Sequence, residues 1–378
     1  MAFVPHSEFQ RCVALYQADH RVRSFSCWDH WLCMAFAQLT HRESLRDIEA
    51  CLRAIGSRLY HLGIRGRVSR STLAEANEHR CWRVYADLAQ VLIAIARPLY
   101  ANEAFAAELD NTVYALDATT IDVCLTLCPW APFERSRGAV KLHTLLDLRG
   151  SIPTFIAITD GRSNDVSVLD HVPWEPGSFY VMDRGYLHFE RLFAVAQSGA
   201  FFVTRSKRRL GMQRQISRVV DRSTGLRADQ TVRLIGTKTQ YTYPIPLRRV
   251  SYRDPDTNKY FEFLTNHFQL PALTIVKLYE SRWNIQVFFK WIKQHLRIKS
   301  FFGYSENAVK TQIWTAVCTY VLVAIAKKQL GIRGNLYTFF QVVGMTVIEK
   351  TPIFQVFSDS SLQSTDTPDP NQLILFDI

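Results

Sequence analysis

The spacing of apolar residues divides the chain into a helical first part and a later part that alternates like β-strands. Within residues 1–105, stretches such as SLRDIEACLRAI carry apolar residues at helical spacing. Thr40-x-x-Glu43 and Thr72-x-x-Glu75 resemble capping boxes ahead of two such helices. A basic turn, HLGIRGRVSR, joins them. Helix, basic turn and helix fit either a DNA-binding helical module or an ordinary bundle with a basic loop.

A strand pattern begins near residue 112. VYALDATTID alternates in polarity, and KLHTLLDLRGSIPTFIAITDG predicts two strands joined by a turn at Arg149-Gly150. A short apolar strand, Phe179–Met182, precedes a helical stretch (HFERLFAVAQSG) and another strand (AFFVTRS). Strands flanking a hairpin, followed by strand, helix and strand, match an RNase H-like α/β order.

Polar strand patterns then predict a β-rich insertion, and helices resume after Pro271. The apolar run from Ile313 to Ala326 is too short to span a bilayer and predicts a buried helix. The predicted divisions are a helical domain (1–105), a first part of the core (106–205), the insertion (206–268), a last part of the core with C-terminal helices (269–350) and a flexible tail (351–378).

Composition and charge narrow the class of partner. The 378 residues are 48% apolar, which predicts two or three globular domains. The formal net charge is +11 and is clustered, which favours nucleic acid over a membrane. No signal peptide is evident, and eight cysteines without paired C-x2-C modules predict a reduced, cytoplasmic protein. The candidate DNA-binding residues in the basic clusters are Arg70, Arg205, Lys207, Arg208 and Arg209.

The segment 279–293, YESRWNIQVFFKWIK, predicts a helix with a basic face. Trp283, Val287 and Trp291 form an apolar stripe that is expected to face the core. No acidic residue occurs between positions 281 and 300, which favours a polyphosphate partner over a solvated face of mixed charge. The polar residues spaced by three or four are Tyr279, Arg282, Gln286, Lys290, Lys293 and Arg297.

Two aspartates end neighbouring strands of the predicted sheet. Asp117 ends the first strand and Asp183 the fourth, so their carboxylates could share a divalent ion such as Mg²⁺, which prefers oxygen ligands. Either residue alone would also fit a strand-end cap. Asp122 is a rival to Asp117 but should face the opposite side of the strand. Asp160 and Asp165 are expected to cap a turn.

The 279–293 segment resembles the Y-x2-R-x3-E-x6-K pattern of the insertion sequence 4 family of transposases, whose Glu is the third acidic ligand of a DDE site. Tyr279, Arg282 and Lys293 match, and the Glu position is Gln286. The resemblance covers most of the chain and implies an RNase H-like DNA transposase. Water would cut a phosphodiester at the insertion-sequence ends, and the freed 3′-hydroxyl would join target DNA.

The resemblance also implies ligands and partners. Asp117, Asp183 and Gln286 would be the catalytic, metal-binding positions for Mg²⁺, with Mn²⁺ as a substitute. Arg282 and Lys293 would hold phosphates of double-stranded DNA, with Tyr279 stacking or hydrogen-bonding there. The N-terminal helices would recognise the terminal inverted repeats, and two copies would act as a homodimer on DNA at the bacterial nucleoid, without a membrane.

Relatives that place a flipped base on a Trp of the insertion raise a difference. No Trp occurs between Trp174 and Trp283, so Tyr186, Phe189 or a tyrosine of the insertion would have to serve, or flipping is not used.

Gln286 is the departure with the largest consequence, because an amide oxygen carries no charge and cannot be a basic bridging ligand. Cleavage by this chain is therefore expected to be impaired. Rescue by Glu280 would have to overcome a helical phase difference of about 120°. A transposase-derived DNA-binding protein or repressor, and an RNase H-like nuclease that needs no specific ends, are the alternatives. The sequence contains none of the motifs GxGxxG, GxSxG or HExxH of small-molecule enzymes.

Overall fold

The structure is a computed structural model that describes residues 3–103, 109–207, 210–295 and 301–347. Arg208, Arg209, Arg297 and the predicted tail lie outside these ranges. The chain divides into two compact units. The first comprises the described parts of Met1–Ala101, Ile121–Val140 and Phe289–Leu373, and the second those of Asn102–Thr120 and Lys141–Phe288.

The described residues form eleven α-helices and nine strands. The helices are α1 (His6–Leu15), α2 (Cys27–Leu39), α3 (Leu45–Ile55), α4 (Arg70–His79), α5 (Arg83–Tyr100), α6 (Phe189–Gln197), α7 (Thr239–Thr242), α8 (Ala272–Glu280), α9 (Trp283–His295), α10 (Glu306–Gln329) and α11 (Leu336–Thr346). The strands are β1 (Val113–Val123), β2 (Gly138–Asp147), β3 (Ile152–Asp160), β4 (Phe179–Met182), β5 (Phe201–Arg205), β6 (Met212–Arg218), β7 (Leu226–Leu234), β8 (Leu247–Arg253) and β9 (Tyr260–Thr265).

Serine hydroxyls begin the N-terminal helices, and the two predicted threonine caps are wrong. Ser44 accepts a hydrogen bond from the backbone N–H of Asp47 at the start of α3, while Thr40 ends α2. Ser69 does the same for the N–H of Thr72 at the start of α4. In both helices a serine three residues before the bonded N–H satisfies an end donor, because the cap must directly precede the first helical residue.

Helix α10 forms the core of the first unit. All its residues from Ala308 to Ala326 are buried except Lys310, and it packs against α2, α4, α5 and α11. Among the helices that the structure describes, α10 alone is long and apolar enough to cross a membrane by length and composition, yet 94% of its apolar window is buried inside the protein. The prediction of a buried helix here is confirmed.

The nine strands form one sheet in the order β3-β2-β1-β4-β5-β9-β8-β7-β6. Strand β4 lies between β1 and β5 and is parallel to both, whereas β9 runs antiparallel to β5. The first five positions are the RNase H-like order, so the predicted fold class is confirmed. The insertion extends this sheet through β9, and its outermost strand β6 escaped prediction because its polar residues lie exposed at an edge.

One face of the central strands covers a large apolar core in the second unit. Tyr114 stacks on Tyr180, and both pack in a cluster that includes Met182, Tyr186 and Phe202. Because side chains alternate across a strand, the intervening positions of β1 and β4 face the other side. That other side is where the two strand-end aspartates lie.

The predicted single helix over 279–293 is two helices, α8 and α9, with a break at Ser281 and Arg282. At the break the N–H groups of Arg282, Asn284 and Ile285 donate to carbonyls three residues back, which tightens the turn. The Ser281 hydroxyl also bonds the Leu278 carbonyl. Arg282 therefore lies outside regular helix and can point away from the direction that one continuous helix would give it.

The predicted apolar stripe of α9 is also wrong. Trp283 and Val287 are 38% and 47% exposed. The buried residues of α9 are Ile285, Phe288, Phe289 and Ile292. Their spacing of three, one and three residues forms a better helical stripe than a spacing of four and four, and it decides which side is buried.

Candidate active site

Three polar side chains lie in register at the carboxyl ends of adjacent parallel strands. Leu116 of β1 pairs with Met182 of β4, and Met182 pairs with Thr204 of β5. The next residues, Asp117, Asp183 and Arg205, are therefore level with one another and face the same side of the sheet. The predicted adjacency of the two aspartate strands is confirmed, and the neighbouring arginine adds positive charge.

Asp117 is half-buried, and each of its carboxylate oxygens has a donor. Oδ2 accepts from Nη1 of Arg282 at 2.9 Å, and Oδ1 accepts from the backbone N–H of Ala118 at 2.9 Å. Burial raises the pKa of Asp117, and the nearby Asp183 carboxylate adds to the rise, whereas Arg282, the Ala118 N–H and the Gln286 side chain oppose it. Arg282 thus supplies the main positive charge for a carboxylate that burial alone would drive towards protonation.

Gln286 lies in the first turn of α9 and hydrogen-bonds the Asp117 carboxylate. A carboxylate only accepts, so the amide NH₂ of Gln286 is the donor. A glutamate at this position could not donate and would add a negative charge beside Asp117 and Asp183. The described environment therefore suits a neutral amide as long as no cation shares the site.

Glu280 does not take the place of the missing carboxylate in this arrangement. Burial and the nearby Asp254 raise the pKa of Glu280, so its side chain lies towards the insertion turn that holds Asp254. It is not among the charges that act on Asp117. The alternative of rescue by Glu280 therefore finds no support.

Tyr279 connects the positive and negative groups of the site. It is 9% exposed, and burial raises its pKa with a further contribution from Asp183, while Arg282 and Arg205 lower it. The Arg282 guanidinium lies 5.6 Å from the centre of the Tyr279 ring. Arg205 similarly lies 4.8 Å from the ring centre of Phe261. Aromatic faces thus hold both arginines next to the carboxylates.

The remaining predicted DNA-binding residues do not form one group. Lys207 follows β5 and is exposed, and Arg70 is the exposed first residue of α4. Lys290 and Lys293 belong to the first unit, where Lys290 is exposed and Lys293 is half-buried. Of the predicted acidic rivals, Asp122 forms an exposed ion pair with Arg137 at 3.0 Å, and Asp160 caps its turn as predicted.

Sequence reasoning missed a polar cluster on β2. Lys141 contacts Asp165 at 3.0 Å, and His143, 1% exposed, lies 4.0 Å from the same carboxylate. The prediction that Asp165 only caps a turn is therefore wrong. Burial lowers the pKa of His143. Two polar residues in an otherwise apolar strand were the available signal.

Tyr186 and Phe189, two candidates for holding a flipped base, are buried in the core at 3% and 8% exposure. The Tyr186 hydroxyl is buried with no hydrogen-bond partner among the described residues. Burial raises its pKa, and the carboxylates of Asp117, Asp165 and Asp183 add to the rise, so it faces the acidic end of the sheet. The tyrosines of the insertion with large exposure are Tyr241 and Tyr260.

The donor set limits which metal the site could hold. Asp117 and Asp183 supply hard oxygen donors, but the described residues contain no group of three or more His, Cys, Asp or Glu side chains fit to hold a metal. Two carboxylates fit one Mg²⁺, which commonly takes one or two protein carboxylates and completes its shell with water and phosphate. They fit a pair of ions less well, because the charge of a third carboxylate is missing at Gln286.

An RNase H-like sheet with two aspartates in register at its carboxyl edge is the architecture of a metal-dependent polynucleotidyl-transferring enzyme. Residues 108–322 match the family described as Transposase DDE domain, and residues 1–65 match a domain of unknown function, DUF4372. The chain belongs to the DDE transposase family, as the resemblance to insertion sequence 4 transposases implies.

Relatives with names agree. The chain is 35% identical over 242 residues to a protein named as a transposase, y4zB, of Sinorhizobium fredii, covering 63% of this chain and 67% of the relative. It is 33% identical over 230 residues to a protein of Geobacillus stearothermophilus named as a transposase for insertion sequence element IS5377, covering 59% of this chain and 60% of the relative.

A solved structure, the piggyBac transposase synaptic complex with hairpin DNA, aligns with 9% identity and a TM-score of 0.48, covering 95% of this chain and 81% of that one. This likeness is too weak to add to the argument.

Proposed function

We propose that this DNA transposase cuts and joins phosphodiesters at the site formed by Asp117, Asp183 and Gln286, and that Gln286 limits the reaction. The observation that carries the proposal is the register of Asp117 with Asp183, with Arg282 bonded to the first carboxylate. Family membership supports the use of a divalent metal ion, for which Mg²⁺, or Mn²⁺ in its place, fits the two carboxylates.

The reaction consists of two displacements at phosphorus. In the first, a water oxygen forms a bond to the phosphorus, the bond to the 3′ oxygen breaks, and a proton is transferred to that oxygen. In the second, the freed 3′-hydroxyl attacks a phosphodiester of the target strand and the target's own 3′ oxygen leaves. A divalent ion held by Asp117 and Asp183 would activate the attacking oxygen and stabilise charge on the leaving oxygen.

The protein's own side chains position the DNA. Arg282 and Arg205 lie beside the carboxylates and are aimed to neutralise the phosphate as its charge grows. When a phosphate and a metal ion share the site, Arg282 exchanges Asp117 for the phosphate, and its bidentate fork suits that exchange. Tyr279 keeps the guanidinium in place beneath the scissile bond.

Gln286 weakens this scheme in two ways. Its amide hydrogen-bonds Asp117, which stabilises the site without metal, and it contributes no charge to hold a second ion. A two-metal arrangement is therefore proposed for a glutamate at position 286 and not for the chain as it stands. Loss of one charged group at such a site costs about 2.7–4 kcal/mol of transition-state stabilisation.

DNA binding without catalysis is the second candidate function, and Gln286 is the observation that favours it. Such a protein would occupy insertion-sequence ends and act as a repressor. In both cases we propose that double-stranded terminal inverted repeats are the bound DNA, that two copies act as a homodimer on them, and that the protein works at the cytoplasmic nucleoid. Target DNA is a partner only in the catalytic case.

Binding of Mn²⁺ to the DNA-bound protein separates the two candidates. Calorimetric titration of the native chain should give weak binding that Asp183→Asn abolishes, and Gln286→Glu should strengthen it at least tenfold. Gln294→Glu, the same change on an exposed position of the same helix, is the matched control and should bind like the native chain. Equal Mn²⁺ binding by native, Asp183→Asn and Gln286→Glu proteins would contradict a metal site here and leave DNA binding as the function.

A further inference from the structure

A concave surface in the first unit has an apolar floor and a basic rim. It lies where α3 ends and continues through a 3₁₀ helix, Gly56–Leu62, into the loop before α4. Its volume is about 450 Å³, within the range of sites that hold small organic groups. The lining residues are Leu52, Arg53, Gly56, Leu59, Tyr60, Ile64, Arg65, Gly66, Arg67 and Val68.

The floor is rigid because its apolar residues are anchored in the unit. Leu52, Ile64 and Val68 are 1%, 2% and 5% exposed. The loop turns at Gly63, whose φ of 80° favours glycine, and the Gly63 N–H closes the turn onto the Tyr60 carbonyl at 3.0 Å. The backbone of Tyr60 is thereby fixed at the mouth of the cavity.

Tyr60 presents its ring to solvent at this mouth. The side chain is 63% exposed, and its ring centre lies 3.9 Å from that of His61. An exposed aromatic ring next to an apolar floor offers a face on which a flat ring system can stack. A large exposed aromatic side chain would otherwise be unfavourable on a soluble surface.

The rim has an excess of positive charge. Between Ala50 and Ala74 the sequence has five arginines and no acidic residue. Arg53 pairs with Glu49 at 3.0 Å. Among the described residues no carboxylate pairs with the other four, which are exposed and comprise Arg58, Arg65, Arg67 and Arg70.

We propose that this surface binds a nucleotide unit of DNA, with one unstacked base against Tyr60 and the apolar floor and the flanking phosphates on Arg65 and Arg67. The inference rests on the proposed function in taking DNA as the partner. It assigns a role to the part of the chain that matches the domain of unknown function and to the loop that follows it. Neutral ligands would leave the arginine rim unused, and phosphate contact alone would leave the cavity unused.

The test is binding of the full chain to labelled DNA in EDTA, which removes metal and hence cleavage. Two probes are compared by fluorescence anisotropy: a blunt 25-base-pair duplex and the same duplex with a three-nucleotide single-stranded end. Tyr60→Leu keeps apolar surface and removes the aromatic face, and Tyr60→Phe restores it. Tyr337→Leu, on an exposed tyrosine of α11, is the matched control.

Tyr60→Leu should weaken binding of the single-stranded-end probe roughly 5- to 100-fold with little change for the blunt duplex, and Tyr60→Phe should recover it. Arg65→Gln with Arg67→Gln should weaken both probes and lower the salt slope by about two, whereas Arg333→Gln should not. Unchanged binding in Tyr60→Leu and in the double arginine variant would overturn the inference.

Two further outcomes are distinct. Competition by polyglutamate as effective as that by DNA would overturn the inference in favour of an acidic protein partner. Failure of cleavage or of metal binding at Gln286 would contradict the proposed function while leaving these DNA affinities, measured without metal, as they are. Native-like thermal unfolding of each variant establishes that the loss of binding is local.

Discussion

Arg282 donates a hydrogen bond to Asp117 at 2.9 Å across 165 residues of sequence. The contact joins the break between α8 and α9 to the carboxyl end of β1, and the two side chains are only 15% and 18% exposed. Such a pair does more than add stability, because removal of either partner leaves a poorly solvated charge. It keeps Asp117 ionised in the absence of metal.

The Arg282–Asp117 pair should show strong coupling in a double-mutant cycle. Arg282→Gln and Asp117→Asn are each expected to lower the free energy of unfolding by about 1–3 kcal/mol. The double variant should lose less than the sum of the two, with a coupling energy of about 0.5–3 kcal/mol. Urea unfolding at pH 7.5 without metal measures all four proteins. Strictly additive losses would show that the two charges act independently.

Glu280→Gln should leave the metal site unchanged and improve stability at high pH. The pKa of Glu280 is raised by burial and Asp254, so its charged form destabilises the fold above that pKa. The variant should therefore melt at the same or a higher temperature at pH 8, and the difference should vanish towards pH 4, where native Glu280 takes up a proton. Mn²⁺ affinity should match the native chain. A fall in Mn²⁺ affinity would return Glu280 to the list of ligands.

Much of this site could be predicted from local sequence. Strand alternation placed Asp117 and Asp183 at strand ends, and the RNase H-like order made those strands neighbours. Arg205 was predicted only as part of a basic cluster, because its level with Asp183 depends on the register between β4 and β5. Register between distant segments is set by tertiary packing and leaves no local pattern.

The segment 279–293 shows where local reasoning fails. It contains two possible apolar stripes, and the tryptophans outweighed the better-spaced Ile285 and Phe288. The break at Ser281 has no proline or glycine to announce it, since tight turns and a side-chain hydrogen bond produce it. The contact between Arg282 and Asp117 depends on that break.

His30 should make the protein less stable in acid. It is fully buried between Asn77 at 2.9 Å and the Tyr85 hydroxyl at 2.8 Å, and burial followed by Arg80 lowers its pKa to about 3. The unfolded chain therefore binds a proton below pH 6.5 that the folded chain does not, and stability falls with pH by up to about 1.4 kcal/mol per unit from this group.

Replacement of His30 tests that dependence. His30→Gln should be less stable than the native chain at pH 8 by about 1–3 kcal/mol, because buried hydrogen bonds are lost. The gap should narrow as the pH falls from 6.5 to 4.5. Urea unfolding across this range, with exposed His20→Gln as the control, measures it. A gap that stays constant with pH would mean that His30 does not resist protonation in the fold.

The most direct test of the central claim is cleavage of a labelled insertion-sequence end by the native chain, Gln286→Glu and Gln294→Glu in Mg²⁺ or Mn²⁺. Gln286→Glu should cut faster than the native chain by roughly 10²- to 10³-fold. It should also unfold more easily without metal, because a third carboxylate replaces a hydrogen-bond donor to Asp117. Gln294→Glu should behave as the native chain. Equal cutting by all three proteins would contradict the assignment of position 286 to the site.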